Sequence, residues 1–109
     1  MEILEFMEIQ EPITHETTIC GTDLTVKNTN HSHAPFSRWS SNVAIFDESG
    51  TRASGWCESN TQQNALKGAM DMAFGQLIRE SENPVNGITL LVNAWKEMIE
   101  RWTQQDDSA

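Results

Sequence analysis

Between residues 65 and 77 the apolar side chains fall at intervals of three and four. Ala65, Leu66, Ala69, Met70, Ala73, Phe74 and Leu77 therefore share one face of a helix of 3.6-residue period. Ser59, Asn60 and Thr61 are three adjacent N-cap candidates, and Gln62 and Gln63 follow the first two at capping-box distance. The helix should run to about Arg79. Gly68 and Gly75 lie off its apolar face and each costs about 1 kcal/mol of helix propensity relative to Ala. They read as tolerated surface glycines, with close approach of a neighbouring element as the alternative. A helix with one apolar face must bury it against another layer, so the rest of the chain has to supply one.

Asn83-Pro84 is a stop signal followed by a start signal. Beyond it Ile88, Leu91, Val92, Trp95, Ile99 and Trp102 follow helical spacing, predicting a second amphipathic helix from about 86 to 103 with a favourably ordered Glu97–Arg101 pair. The tail, residues 104–109, should fray.

Upstream the signals are those of strands. Trp39, Val43 and Ile45 alternate with Ser40 and Asn42, Asp47-Glu48-Ser49-Gly50 is turn chemistry, and residues 51–57 return as the second arm of a hairpin. Thr17-Thr18-Ile19-Cys20 and Leu24-Thr25-Val26 are rich in β-branched residues, with a tight turn or a bulge at Gly21-Thr22-Asp23. Residues 2–10 fit neither period cleanly; a strand is favoured over a short helix. Residues 27–37 are polar without a period and read as an exposed loop. The expected fold is α+β: an antiparallel sheet of three or four strands covered on one face by two C-terminal helices, in a single domain over residues 1–104 with 105–109 as a disordered acidic tail.

The 109 residues carry 16 Asp and Glu against seven Lys and Arg, a net charge of -9. Direct binding to a phosphate backbone is disfavoured, because that affinity comes from cations. The longest apolar runs are only a few residues, such as Leu90-Leu91-Val92, too short to span a membrane, and the first residues lack the basic start of a signal peptide, so a cytoplasmic location without membrane contact is expected. Cys20 and Cys57 are too far apart for a CxxC motif and read as free thiols on strands.

Catalytic motifs are missing: there is no Walker loop, GxGxxG, HExxH or nucleophile elbow. The reading is of a protein that is not an enzyme and takes no cofactor. His31 and His33 could face one ion from an extended segment, but nothing local completes a set, and no metal site is assigned. The acidic residues are unevenly placed, since residues 1–26 hold six carboxylates and no Lys or Arg. Glu2, Glu5, Glu8, Glu11, Asp23, Asp47 and Glu48 are the candidate partner-binding residues, able to engage a basic protein surface, for instance that of a nucleic-acid-binding host complex. Trp95, Met98 and Trp102 on the second helix are a possible dimer or partner interface, which would make the chain a homodimeric structural or adaptor module.

The stretch from Trp39 to Leu77 resembles the hairpin and following helix of double-stranded-RNA-binding-like domains: Val43-Ala44-Ile45-Phe46, the turn at 47–50, Ala53-Ser54-Gly55-Trp56, then Asn60-Thr61-Gln62-Gln63-Asn64-Ala65. That family's clamping lysines are replaced by Gln62 and Gln63, so RNA binding does not carry over. The same stretch is similar to part of the ribonuclease-H-like fold, but Leu66 and Lys67 stand where its helix-borne carboxylate would be expected. In size and charge the chain resembles the small phage-encoded inhibitors of bacterial defence, including anti-CRISPR proteins. That resemblance implies a non-enzymatic acidic blocker that mimics nucleic acid.

Overall fold

The computed structural model describes residues 11–33, 36–80 and 84–107. Four strands, β1 (Ile13–Thr18), β2 (Thr25–Ser32), β3 (Trp39–Asp47) and β4 (Gly50–Ser59), precede two helices, α1 (Gln62–Arg79) and α2 (Pro84–Asp107). The strands pair in chain order as an antiparallel meander. The fold is α+β with both helices on one face of the sheet. The strand expected for residues 2–10 lies outside the described residues.

Each turn has a local cause. Among the described residues Gly21 and Gly50 are the glycines with positive φ, at 83° and 124°, and they stand in the β1–β2 and β3–β4 turns. At the second turn the Asp47 carboxylate accepts bonds from the Ser49 backbone N–H (2.8 Å) and hydroxyl (2.7 Å), and Arg52 closes on it at 2.7 Å. Of the three N-cap candidates Thr61 is the cap: its hydroxyl accepts the Asn64 N–H at 3.1 Å.

The apolar stripe of α1 is the floor of the core. Ala65, Leu66, Ala69, Met70, Ala73 and Phe74 are fully buried against Val26, Val43, Ile45 and Ala53 of the sheet. Gly55 of β4 has no room for a side chain, since a Cβ there would run into the backbone of Ala69 and Ala73. Gly68 is likewise pressed against Cys57, so close approach, not surface tolerance, explains it. Gly75 is different: a Cβ there would meet only the Arg79 guanidinium, at 3.5 Å.

The largest departure from the sequence reading is β2. In place of a loop over residues 27–37, Thr25–Ser32 is a central strand in full register with β1 and β3. Its inward positions after Val26 are Asn28 and Asn30, both fully buried. They are accommodated because they bond to each other and to the sheet. Asn30 Nδ2 donates to Asn28 Oδ1 (2.8 Å) and to the Ile13 carbonyl (3.0 Å), Asn28 Nδ2 to Ser41 Oγ (2.9 Å) and the Asn42 carbonyl (3.0 Å), and Ser41 Oγ to Asn30 Oδ1 (2.7 Å).

Helix α2 lies beside α1 and reaches β1. Trp95 stacks on Phe74 with centroids 5.7 Å apart, and Trp102 stacks on His15 at 4.9 Å. The helix continues to Asp107, past the expected end at 103. Among the described residues no helix is long and apolar enough to cross a membrane.

The free edge of β4 is occupied by α1. The Ser54 N–H donates to Gln76 Oε1 at 3.3 Å and the Trp56 N–H to Met72 Sδ at 3.4 Å, from side chains one helical turn apart.

Candidate functional site

Three strands build a groove on the sheet face opposite the helices. Alternation sends Lys27 and Thr29 of β2, Asn42 and Ala44 of β3, and Ser54 and Trp56 of β4 to that outer face. Register then sets them side by side: Lys27 opposite Ala44, Thr29 opposite Asn42, Ala44 opposite Ser54, Asn42 opposite Trp56. Because the Trp56 and Ser54 amides point away from β3, Asn42–Trp56 and Ala44–Ser54 are non-hydrogen-bonded pairs, the kind whose side chains come closest. The groove has a volume of about 440 Å³, and Met72 closes its β4 end. Its small floor residues leave Trp56 standing 52% exposed, and among the described residues Lys27 is the one charged side chain lining it.

The carboxylates named from sequence are not one surface. Asp23, Asp47 and Glu48 meet in a shallow groove where the β1–β2 and β3–β4 turns lie together. Glu11 precedes β1, so the length of that strand, about 20 Å, separates it from them. Glu2, Glu5 and Glu8 lie outside the described residues. Asp47 is engaged within its own turn: the Ser49 hydroxyl first, then Arg52 and the Ser49 amide, hold its carboxyl down to about 2.

The α2 interface is corrected as well. Met98 and Trp102 are 5% and 7% exposed and belong to the core, and Trp95 packs on Phe74. The apolar stripe is where the spacing puts it, but it packs against the same chain.

Over residues 4–104 the sequence matches the family described as the cytidine and deoxycytidylate deaminase zinc-binding region. The chain belongs to that deaminase family. Comparison with curated proteins and with solved structures gives no match. The deaminase match overturns the likeness to double-stranded-RNA-binding-like domains and to anti-CRISPR inhibitors, and with it the phage-encoded blocker and the expectation that the chain is not an enzyme. The family points to nucleotide deamination.

The deaminase family implies zinc, and the donors of this chain do not fit it. Zinc deaminases hold the ion with one His and two Cys, or with three Cys, from an HxE…PCxxC pattern. No His here stands two residues before a Glu, and no Cys three before another. All three His and both Cys are among the described residues, and they are scattered. His15 is stacked on Trp102, His31 is on the outer face of β2, and His33 bonds Ser40 at 3.0 Å through Nε2. Cys57 lies on β4, whereas Cys20 sits in the turn after β1 rather than on a strand. Opposite edge strands of this sheet are about 14 Å apart, while zinc ligands must all lie within about 2.3 Å of one ion. Among the described residues no three His, Cys, Asp or Glu side chains come together as a metal site.

Sequence reasoning missed Lys27, Thr29, Asn42 and Trp56. For Lys27 and Thr29 the available signal was the β-branched content of their segment, at Thr25, Val26 and Thr29.

Proposed function

We propose that the chain recognises a cytosine nucleoside or nucleotide, the substrate class in its family's name. The observation that carries this is the family match over residues 4–104. Two further facts support it. A net charge of -9 disfavours a polynucleotide far more than a single nucleoside or monophosphate. A groove of about 440 Å³ is within the size range of small-molecule sites. Hydrolytic deamination replaces the cytosine C4 amino group with oxygen from water and releases ammonia. In zinc deaminases the metal activates that water. The donors described in this chain do not fit that ion. A cytoplasmic location, where free nucleotides are found, goes with this reading.

The test is calorimetric titration with cytidine, cytidine monophosphate and deoxycytidine monophosphate, run beside a chromatographic assay for the uracil products. Binding of any of the three supports the proposal, and so does product formation. Absence of both binding and product overturns it.

A further inference from the structure

We infer that the outer-face groove is the base-binding site, with the pyrimidine ring stacked on Trp56, its hydrogen-bonding edge met by Asn42, and a 5′-phosphate directed towards Lys27. The inference rests on the substrate class proposed above and adds a location away from any metal centre.

Aromatic rings presented on a sheet face are platforms for unpaired bases, because every base has a π-face. Trp56 is such a ring: its strand is pinned from behind, where Gly55 touches the α1 backbone, while the indole stands in the groove. The pinning fixes the backbone of the strand that carries the ring, which limits how much of the chain must be ordered on binding. Asn42, its direct cross-strand neighbour, has an exposed side chain. A carboxamide can accept from the cytosine N4 amino group through Oδ1 while donating to N3 through Nδ2. Rotated by half a turn it suits uracil equally, donating to O4 and accepting from N3–H. The site therefore holds substrate-class and product-class bases alike.

The polar end follows from register. Lys27 is two strands away from Trp56 and offset by two residues, roughly 12 Å between Cα atoms by ladder spacing. That span suits a nucleoside monophosphate laid across the strands. In a chain of net charge -9 the described lining of this groove carries one charge, and it is positive. Glu16 stands opposite Lys27 on β1 and competes for the ammonium, so the phosphate contribution should be modest. Glu58, the acid on the same face of β4, is already bound to Arg38 at 2.8 Å.

The experiment is calorimetry of the full chain with cytidine, cytidine monophosphate and uridine, on wild type, Trp56→Ala, Trp56→Phe and Lys27→Ala. Thermal midpoints confirm that each variant folds. Trp56→Ala is expected to weaken cytidine monophosphate by about tenfold or more, and Trp56→Phe by about threefold, since a smaller ring still stacks. Lys27→Ala should weaken the monophosphate by about fivefold at low salt and leave cytidine unchanged. Wild-type binding that Trp56→Ala does not weaken overturns the groove as the site while the cytosine reading stands. Absence of wild-type binding overturns the groove as the site, and together with absence of the uracil products it overturns the cytosine reading as well.

Discussion

Gly68 of α1 sits directly against Cys57 of β4, so that a Cβ at position 68 would lie 2.8 Å from the Cys57 Cβ and overlap its sulfur. The contact sets how near the helix lies to the strand that carries Trp56. A ranking of glycine substitutions by urea denaturation tests it. Gly75→Ala, which meets only the end of Arg79, should stabilise by up to about 1 kcal/mol through helix propensity. Gly68→Ala should lose about 1–2 kcal/mol net, because the overlap outweighs the same propensity gain. Gly55→Ala meets backbone that cannot swing aside, and should cost about 3 kcal/mol or leave the chain unfolded. Any other order would show that helix and strand are not held this close.

The buried amides of β2 should behave as one unit. Asn28→Ala leaves the Ser41 hydroxyl and the Asn30 carboxamide short of partners, and is expected to cost about 2–4 kcal/mol. Asn30→Ala should cost a similar amount. The double substitution should cost less than the sum, since both single changes remove the bond between the two side chains. Strict additivity in a double-mutant cycle would count against the network.

Asp47 provides a pH test of the β3–β4 turn. Its carboxyl is lowered from 3.8 to about 2, so its stabilising interactions are fully present above 3.8 and are lost as pH falls through about 2. Carbon-detected titration should show a midpoint near 2 and no change in the turn between pH 5 and 7. Ser49→Ala and Arg52→Ala should each move that midpoint back towards 3.8, because the Ser49 hydroxyl and the Arg52 side chain both hold it down. A midpoint near 3.8 in the wild type would mean that the turn bonds do not persist in solution.

Metal dependence discriminates this chain from zinc-loaded relatives. Structural or catalytic zinc couples to folding, so removing it lowers the thermal midpoint. With no clustered donors among the described residues, the midpoint here should be unchanged by a chelator and by equimolar zinc. A rise of several degrees on adding zinc would reveal donors that the described residues do not show.

How much was legible in the sequence depended on which physical signal a segment carried. The α1 face was readable because Ala65, Leu66, Ala69, Met70, Ala73 and Phe74 obey helical spacing, and the β3–β4 hairpin because Val43 and Ile45 alternate and Gly50 marks the turn. β2 was not, because hydrophobic periodicity cannot register a strand whose inward residues are Asn28 and Asn30. Burial of an amide depends on a partner, and Ser41 and Ile13 come from other strands. The groove was hidden for the same reason. Lys27, Asn42 and Trp56 are adjacent only through register across three strands, whereas the acidic residues that drew attention were conspicuous by composition alone. Family membership has no motif to announce it, since neither half of the zinc pattern is present.

The side chains that occupy the β4 edge also govern how copies of this protein could stack. An incoming strand approaching β4 would have to displace Gln76 and Met72 from the very amides it needs for pairing. Fibre-like growth by strand addition needs two open margins, one to receive and one to offer. With the β4 margin blocked, head-to-tail polymerisation through the sheet stops at its first step, and among the described residues β1 is the edge strand left for pairing with a second copy.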